Sequence, residues 1–416
     1  MAIVNKGALL EEITKQLDIS PSMFKLAVER YETISKYLQG KGIDADFYPQ
    51  GSFRLGTVTR PIKNGKDSEY DIDLVCHMTR DKNETTPFDV KNTVGDALKQ
   101  DARYRDLLDD EGRRCWTLLY ADIQDIGFHL DILPSVSEDQ DQIQLLSTTY
   151  GIRPAFAQFA IAITNKTKSA YSWASSNPRG YADWFDEINK PLLNMIEKDA
   201  RKLLFEANRT IYASIDDVPS QLIRTSLQRV IQILKRHRDV RFMGHDLEDD
   251  KPISMIITTL TSQIVKNEQC MVIDTFSLLN FVVNKLAEYA DLISNGNSKM
   301  ASLPNAVIKR NFAANRWTIL NPVNPTENFA DRWHENGNRK AKAFFDWIKW
   351  VQADLIEAMN KPDFKEESFK LTFGDSVVEK AVAGYKSRFP QQNAPSTVKP
   401  IIPAITITSP GKPWGE

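Results

Sequence analysis

The N-terminal part of the chain carries apolar residues at helical spacing. Leu9, Ile13 and Leu17 fall on one face of a helix. A serine-proline pair at positions 20–21 is typical of a helix start, because serine caps helices and proline fits the first turn. The pattern therefore predicts that residues 6–41 form two helices.

After this helical region, apolar and polar residues alternate in short stretches. Alternation predicts half-buried strands, since neighbouring side chains of a strand point to opposite faces. The predicted strands are 46–48, 69–77, 115–120 and 126–133, with a polar turn at 49–52 and a helix at 90–98. This mixture of short strands and helices occupies roughly the first half of the chain.

Helical periodicity dominates the second half, where strand signals fade. The predicted helices are 222–239, 253–265, 273–293 and 329–359. The last residues, 391–416, are rich in proline and read as a mobile tail. The sequence thus predicts an α+β protein with four parts. These are N-terminal helices at 1–42 packing across both lobes, a mixed-sheet core at 43–210, a helical lobe at 211–390 and the tail.

Composition and charge exclude several classes of protein. The net charge of −2 argues against a strongly basic protein that wraps duplex DNA or holds RNA stably. The three cysteines lie far apart, which indicates neither a disulfide framework nor a zinc cluster. No stretch approaches the ~18 apolar residues of a membrane span. We therefore expect a soluble cytoplasmic protein without a membrane partner.

Three acidic residues on two predicted strands are the main candidates for chemistry. Asp71 and Asp73 share one strand face about 6–7 Å apart. Asp131 lies on the polar face of a second apolar-flanked strand. If the two strands pair, the three carboxylates converge and can hold two metal ions ~3.5–4 Å apart, as in phosphoryl transfer. A lone Asp-x-Asp, by contrast, usually marks a solvated strand face.

The glycine-serine turn before these acids permits two interpretations. Gly51 allows close backbone approach, and Ser52 offers a hydroxyl at the start of a helix predicted over 53–60. These features suit a β- or γ-phosphate. Alternatively, Ser52 is only a helix cap and binds nothing. The spacing favours neither.

The combination of these motifs resembles the active-site signature of the DNA polymerase β nucleotidyltransferase superfamily. The run from Gln50 to Arg60-Pro61, followed by Asp71-Ile-Asp73, is similar to the bacterial cGAS/DncV-like nucleotidyltransferases, or CD-NTases. Further similar segments are 177–185, 234–238, 251–254 and 321–329. Within the last of these, we interpret residues 324–329 as a cap followed by a helix start. The resemblance implies a polymerase β-like core and an active site in the cleft between two lobes.

The resemblance also implies roles for individual residues. Asp71, Asp73 and Asp131 would be catalytic and would bind two Mg²⁺ ions, for which Mn²⁺ could substitute. Gln50, Gly51 and Ser52 would contact the triphosphate. Two further triphosphate contacts, Lys235 and Ser254, would come from the helical lobe, and Tyr181 is a candidate base contact. A solvated basic helix end for Lys235 and core packing for Tyr181 are the competing interpretations.

The function implied is template-independent joining of ATP and GTP into a purine cyclic dinucleotide such as cyclic GMP-AMP, within bacterial anti-phage signalling. A downstream effector would be reached through the product. The alternatives are a cyclic trinucleotide synthase, a linear oligoadenylate synthetase and a catalytically silent nucleotide-binding scaffold. Some relatives are regulated by proteins that conjugate their C-terminus, and the tail is a possible target. Its terminal Glu416, in place of a small residue, argues against this.

Overall fold

The computed structural model describes residues 5–59, 62–63, 66–67, 70–123, 126–168, 170–294 and 299–388. The strands are β1 Ala45–Gln50, β2 Ile62–Lys63, β3 Lys66–Asp67, β4 Tyr70–Met78, β5 Trp116–Ile123, β6 Ile126–Ser137, β7 Ile161–Thr167, β8 Ala170–Ser176, β9 Lys309–Asn311, β10 Arg316–Thr318, β11 Leu320–Asn321 and β12 Asn324–Asn328. The helices are α1 Lys6–Leu17, α2 Pro21–Gly40, α3 Gly51–Leu55, α4 Pro87–Gln100, α5 Ala102–Leu107, α6 Gln140–Thr148, α7 Pro154–Ala157, α8 Pro178–Ala207, α9 Ser226–Phe242, α10 Ser254–Asn267, α11 Thr275–Ala287, α12 Lys299–Ser302, α13 Glu335–Val351, α14 Ala358–Asn360, α15 Glu367–Phe373 and α16 Asp375–Arg388.

A mixed six-stranded sheet forms the centre of the first lobe. Its order is β1-β4-β6-β7-β8, and β5 pairs with the first part of β6. Strands β4 and β6 are parallel, whereas the other pairs are antiparallel. On β4, Ile72 and Leu74 are fully buried and alternate with Asp71 and Asp73. This alternation leaves one row of acids on the side opposite the core, as the sequence predicts.

The two N-terminal helices contribute to different cores. Leu9 and Ile13 of α1 belong to the large apolar core of the helical lobe, where α1 packs against α16 and α9. Ala27 and Ile34 of α2 belong to the core of the sheet. Ser20 caps α2 by accepting a hydrogen bond from the backbone N–H of Met23.

The longest helix, α8, runs from the sheet into the helical lobe. Asn177 caps it by accepting from the backbone N–H of Gly180 at 2.9 Å. A Cβ on Gly180 would lie 2.6 Å from the Asn177 side chain, so only glycine fits there. Phe185 on this helix is fully buried in the helical core, while Leu204 near its end packs against the sheet core. Helix α8 therefore contacts both cores.

Several predictions about the later part of the chain are wrong. Strands β7 and β8 were not predicted, and four short strands lie within residues 309–328, where we expected strand signals to fade. Residues 324–329 are not a cap followed by a helix: β12 pairs with β11 in a hairpin there, and the next helix begins at Glu335. The reason is non-local, since Asn324 of the hairpin donates to Ser175 Oγ of β8.

Smaller differences concern the glycine-serine region and the chain end. Residues 49–50 complete β1 instead of forming a turn, and α3 begins at Gly51, earlier than predicted. The predicted tail, 391–416, lies outside the described residues. None of the helices in the described part of the chain combines the length and apolar character that a membrane crossing requires.

Candidate active site

The pairing of β4 with β6 brings the three predicted acids to one place. In the parallel register, Asp73 lies directly opposite Asp131, and Asp71 lies opposite His129. On the other side of β4, Gln50 of β1 lies opposite Asp73. Asp73 is therefore the central residue of a row that crosses three adjacent strands.

The outer two acids each have a neighbour that orients them. Asp131 Oδ1 accepts a hydrogen bond of 2.5 Å from Thr117 Oγ1, which faces it from β5. Asp71 is well exposed, and its Oδ1 lies 3.5 Å from Nδ1 of His129. The short hydrogen bond from Thr117 restricts the Asp131 carboxylate to a few orientations.

The pKa of Asp73 is raised to about 7, mainly because its carboxyl is buried and further because Asp131 and Asp71 repel its charge. The nearby Lys235 acts in the opposite direction. The same acids affect Cys115, whose thiol pKa is raised to about 12 by burial and by the charges of Asp131 and Asp73. The site thus concentrates negative charge that a cation would relieve.

The donor set fits a divalent cation. Carboxylate oxygens are preferred Mg²⁺ ligands, and the three acids share one face of the sheet. Within the described residues, no three acidic, histidine or cysteine side chains are already arranged around one metal position. Asp71 lies beside His129 and Asp131 accepts from Thr117, and both acids neighbour Asp73 in the sheet.

The glycine-serine turn lies directly against Asp73. Gly51 has a positive φ of 62°, and a Cβ placed on it would lie 2.2 Å from Asp73 Oδ2. Both the backbone conformation and the space therefore require glycine. The residue that caps α3 is Gln50, and no side chain makes a capping hydrogen bond there. The interpretation of Ser52 as the helix cap is therefore wrong.

Helix α9 of the helical lobe holds the segment that follows this turn. Gln228, Gln232 and Lys235 occur at helical spacing on one face of α9, and each donates to a backbone carbonyl. The bonds are Gln228 Nε2 to Leu55 O at 2.9 Å, Gln232 Nε2 to Val58 O at 2.7 Å and Lys235 Nζ to Thr57 O at 3.0 Å. Gly51 therefore lies against the sheet, while α9 holds the residues that follow the turn.

Lys235 is buried, and its ammonium group is close to the acids. Its pKa is lowered to about 8, first by burial and then by the charge of Arg238, while Asp239, Asp71 and Asp73 oppose this shift. The solvated helix end considered from sequence is wrong, since only 6% of Lys235 is exposed. A buried ammonium group that still has unpaired hydrogen-bond donors is stabilised by a bound phosphate.

Ser254 is the first residue of α10 and takes part in a polar group with Arg238. Arg238 Nη1 donates to Ser254 Oγ at 3.1 Å and to Pro252 O at 3.0 Å. The N-cap residue of α10, Ile253, makes no side-chain hydrogen bond to the helix. Uncapped N–H groups and the helix dipole favour an anion at this position.

A cavity of about 480 Å³ contains all of the predicted site residues. Its wall includes residues from the sheet and from the helical lobe. The predicted ones are Gln50, Gly51, Ser52, Asp71, Asp73, Asp131, Tyr181, Lys235 and Ser254. The sequence reasoning did not assign Arg54, Arg114, Arg238, Asp239, Asn321, Glu327 or Phe329, which also line it.

Tyr181 is placed in the wall mainly as a packing residue. Only 4% of it is exposed, its ring centroid lies 5.2 Å from that of Trp184, and its hydroxyl is 2.9 Å from Thr259 Oγ1. Burial raises the pKa of this hydroxyl. The geometry favours core packing over stacking on a base.

Comparison with known proteins agrees with this geometry. Residues 45–134, which carry all three acids and the glycine-serine turn, match the nucleotidyltransferase domain of cyclic GMP-AMP synthase DncV-like proteins. Residues 45–134 therefore form a nucleotidyltransferase domain of the DncV-like type. The family generally uses divalent metal ions, in agreement with the carboxylate donor set.

Two curated relatives extend the similarity beyond this domain. A c-di-GMP synthase of Roseivirga ehrenbergii is 27% identical over 359 residues, which are 85% of this chain and 80% of that protein. The cyclic dinucleotide synthase CdnG of Bradyrhizobium diazoefficiens is 24% identical over 404 residues, 92% of this chain and 84% of that protein. Similarity to each relative therefore covers both lobes of this chain.

Solved structures show the same fold. The CD-NTase CdnG of Bradyrhizobium diazoefficiens, solved in complex with GTP, superposes with a TM-score of 0.65 at 22% identity, covering 91% of this chain and 99% of that one. Vibrio cholerae DncV, a cyclic AMP-GMP synthase in complex with nonhydrolyzable GTP, gives a TM-score of 0.51 at 14% identity, covering 90% and 87%. The mixed sheet and the helical lobe of this chain therefore share the fold of these two proteins.

Proposed function

We propose that this protein is a CD-NTase that joins purine nucleoside triphosphates into a cyclic dinucleotide without a template and releases pyrophosphate. The observation that carries the proposal is the register of Asp73 with Asp131 on neighbouring parallel strands, with Gly51 pressed against Asp73. A row of carboxylates beside a phosphate-sized turn suits phosphoryl transfer, which depends on positioning and charge neutralisation.

Two Mg²⁺ ions would be held by Asp71, Asp73 and Asp131, and Mn²⁺ could substitute. When bound, the ions neutralise charge on the triphosphate and on the attacking and leaving oxygens. The raised pKa of Asp73 supports this role, because a cation is what allows these acids to be ionised together. Asp131 would orient the acceptor ribose hydroxyl and take up its proton, with Thr117 holding the carboxylate in place.

The triphosphate would lie between the turn and the helical lobe. Gln50, Gly51 and Ser52 would contact it from the sheet side, while Lys235 and Ser254 would contact it from the other. The acceptor hydroxyl forms a bond to the α-phosphorus, and the bond from that phosphorus to the β-phosphate oxygen breaks. A second transfer within the linear intermediate closes the ring.

ATP and GTP are the proposed substrates, and cyclic GMP-AMP is the proposed product. The use of GTP is supported by the names of relatives, since one is a c-di-GMP synthase and CdnG was solved with GTP. Because of the similarity to these relatives, c-di-GMP is the first alternative product that we propose. We further propose that synthesis takes place in the bacterial cytoplasm as part of anti-phage signalling and that an effector responds to the product. Conjugation of other proteins to the C-terminal tail is the form of regulation that we propose to test.

Product analysis tests this proposal directly. The purified protein is incubated with Mg²⁺ and all four NTPs, one of them labelled, and the products are treated with phosphatase and identified by mass spectrometry. We expect a phosphatase-resistant purine dinucleotide that disappears in the Asp71→Ala/Asp73→Ala double variant. A resistant product one nucleotide larger would indicate a cyclic trinucleotide, and a phosphatase-sensitive ladder would indicate a linear oligoadenylate synthetase.

The remaining alternative is a catalytically silent nucleotide-binding scaffold. It predicts no phosphodiester product with any NTP and a cellular phenotype that survives the double substitution. The desolvated Asp73 carboxyl argues against it, because Asp131 and Asp71 repel its charge and ionisation is costly without a bound cation.

A further inference from the structure

The hairpin formed by β11 and β12 places a single carboxylate in the wall of the active-site cavity. Glu327 lies on β12 and lines the cavity together with the acids of the sheet. The hairpin is held firmly, since buried Asn324 donates to Ser175 Oγ at 2.9 Å and Asn177 Nδ2 donates to Val323 O at 3.5 Å. The position of Glu327 is therefore set by the fold.

The carboxylate of Glu327 has unused hydrogen-bonding capacity. Asn321 Nδ2 donates to Glu327 Oε2 at 2.9 Å and fixes the orientation of the group. The other oxygen has no hydrogen-bond partner in the described part of the chain, and it is not one of the atoms sealed from solvent. Burial raises the pKa of this carboxyl, although Asn321 and the charge of Arg114 lower it. A partly desolvated acid of this kind gains from a ligand that donates hydrogen bonds.

The surroundings of Glu327 suit a flat heterocycle. Met255 and Phe329, which are partly exposed, line the same cavity and offer apolar surface for the faces of a ring. The groups that we assign to the triphosphate lie at the turn around Gly51, on α9 at Lys235 and at the start of α10 at Ser254. The cavity therefore offers groups that suit a base in addition to those assigned to the phosphates.

We infer that Glu327 is a base-specificity residue that recognises guanine through the N1–H and N2–H donors of its Watson–Crick edge. An ionised carboxylate only accepts hydrogen bonds, and its two oxygens match two adjacent donors. Adenine presents one donor beside the N1 lone pair, which faces a carboxylate unfavourably. The inference rests on the proposed function, because it assigns the guanine nucleotide of the same site to this residue.

The substitution Glu327→Gln changes the pattern of donors while preserving the shape. The amide oxygen would take the hydrogen bond from Asn321, so the NH₂ group would face the cavity. An NH₂ group opposes the two guanine donors but can donate to N1 of adenine. Guanine recognition should therefore be lost, and adenine use should be retained or increased.

The experiment measures kcat/KM for GTP, ITP and ATP in the wild-type enzyme and in Glu327→Gln. ITP lacks only the N2 amine of guanine. We expect the wild-type enzyme to prefer GTP to ITP by about 10- to 100-fold, the effect of one charge-assisted hydrogen bond. In Glu327→Gln this ratio should fall to near one. Asp331→Asn is the matched control, because Asp331 follows the same hairpin but lines only a neighbouring cavity, and it should keep the wild-type ratio.

Equal use of GTP and ITP by the wild-type enzyme, or an unchanged ratio in Glu327→Gln, would overturn the inference. A uniform loss with all three nucleotides, at a lowered melting temperature, would also do so, since it would show a structural role alone. If the protein joins no nucleotides, the proposed function fails by itself. Calorimetric binding of nonhydrolysable GTP and ITP analogues then decides the inference independently, with the same expected ratios.

Discussion

Gly51 and Asp73 are in direct contact across the first strand pair of the active site, and a single added carbon atom would destroy this contact. A Cβ on residue 51 would lie 2.2 Å from Asp73 Oδ2. Asp73 is also the acid that stands between Gln50 and Asp131 in the register of the sheet. The glycine therefore defines where the central carboxylate can lie.

Gly51→Ala should lower the rate of nucleotide joining by at least about 100-fold, because Asp73 must move away from its position between its neighbours. The substitution also carries about 1–2 kcal/mol of backbone strain at a positive φ. Gly42→Ala is the matched control. Gly42 has a φ of 84° but nothing within 4 Å of a new Cβ, so this variant carries the strain alone. Equal activities of the two variants at saturating Mg²⁺ would contradict the expectation.

The pKa of Asp73 predicts how stability depends on pH in metal-free protein. Its folded value of about 7 exceeds its ordinary value of 3.8, so the folded protein binds the extra proton between these values. The contribution of Asp73 to stability is therefore lost as pH rises towards 7. Asp73→Asn removes this dependence, and its stability advantage over the wild type should grow by roughly 2 kcal/mol between about pH 5.5 and pH 8.

Chemical denaturation with a chelator present measures this difference. Asp106→Asn, at an exposed acid whose side chain is 75% accessible, should show no such growth. Adding Mg²⁺ at the higher pH should stabilise the wild type but not Asp73→Asn, because the cation binds only the folded site. If the stability of the wild type and that of Asp73→Asn changed with pH in parallel, the pKa of Asp73 would not be raised in the folded protein.

Thr117 is expected to act on the reaction through Asp131. Thr117→Val keeps the shape but removes the 2.5 Å hydrogen bond to Asp131 Oδ1. We expect kcat to fall about 10-fold with little change in KM, because the substitution affects the orientation of Asp131 as general base and does not affect triphosphate binding. Thr164→Val is the control, because the hydroxyl of this buried threonine bonds to Arg114 O instead. A change confined to KM would contradict this role for Thr117.

The parts of the site that lie on strands with alternating apolar and polar residues could be predicted from sequence. Ile72 and Leu74 alternate with the acids of β4, and Leu130 and Ile132 flank Asp131, so the strand faces followed from local pattern alone. Pairing of these strands placed the three acids together, as expected. Neighbours in the chain determine the strand faces, whereas the pairing of β4 with β6 joins distant segments and was only a condition in the sequence argument.

The residues that were missed depend on contacts between distant segments. Residues 324–329 carry asparagines and a proline, which indicate a cap. Their conformation is instead fixed by the hydrogen bond from Asn324 to Ser175, which lies 149 residues earlier in the chain. Glu327 and Arg114 therefore had no local signal that pointed to the cavity. Likewise, Gln228 and Gln232 have ordinary helical spacing, and only the fold shows that they hold the carbonyls of Leu55 and Val58.

The last prediction separates the charge of Lys235 from its structural hydrogen bond. Lys235 and Gln232 both donate to backbone carbonyls of the segment after the turn, at 3.0 and 2.7 Å. Lys235→Met and Gln232→Leu each remove one such bond, but only the first removes a positive charge near the acids. We expect Lys235→Met to raise KM for the triphosphate about 10- to 100-fold, and Gln232→Leu to lower stability with a much smaller effect on KM.

The pH dependence of KM tests the same point without relying on a single substitution. Burial and Arg238 lower the pKa of Lys235 to about 8, so free enzyme loses this charge as pH rises through that value. Because a triphosphate binds the charged form, wild-type KM should rise between about pH 7 and pH 9, and Lys235→Met should lack this rise. If KM changed with pH in the same way in Lys235→Met and in the wild type, the role of the ammonium group would be limited to its hydrogen bond with Thr57 O. The phosphate contact from the helical lobe would then have to come from Arg238 or Ser254.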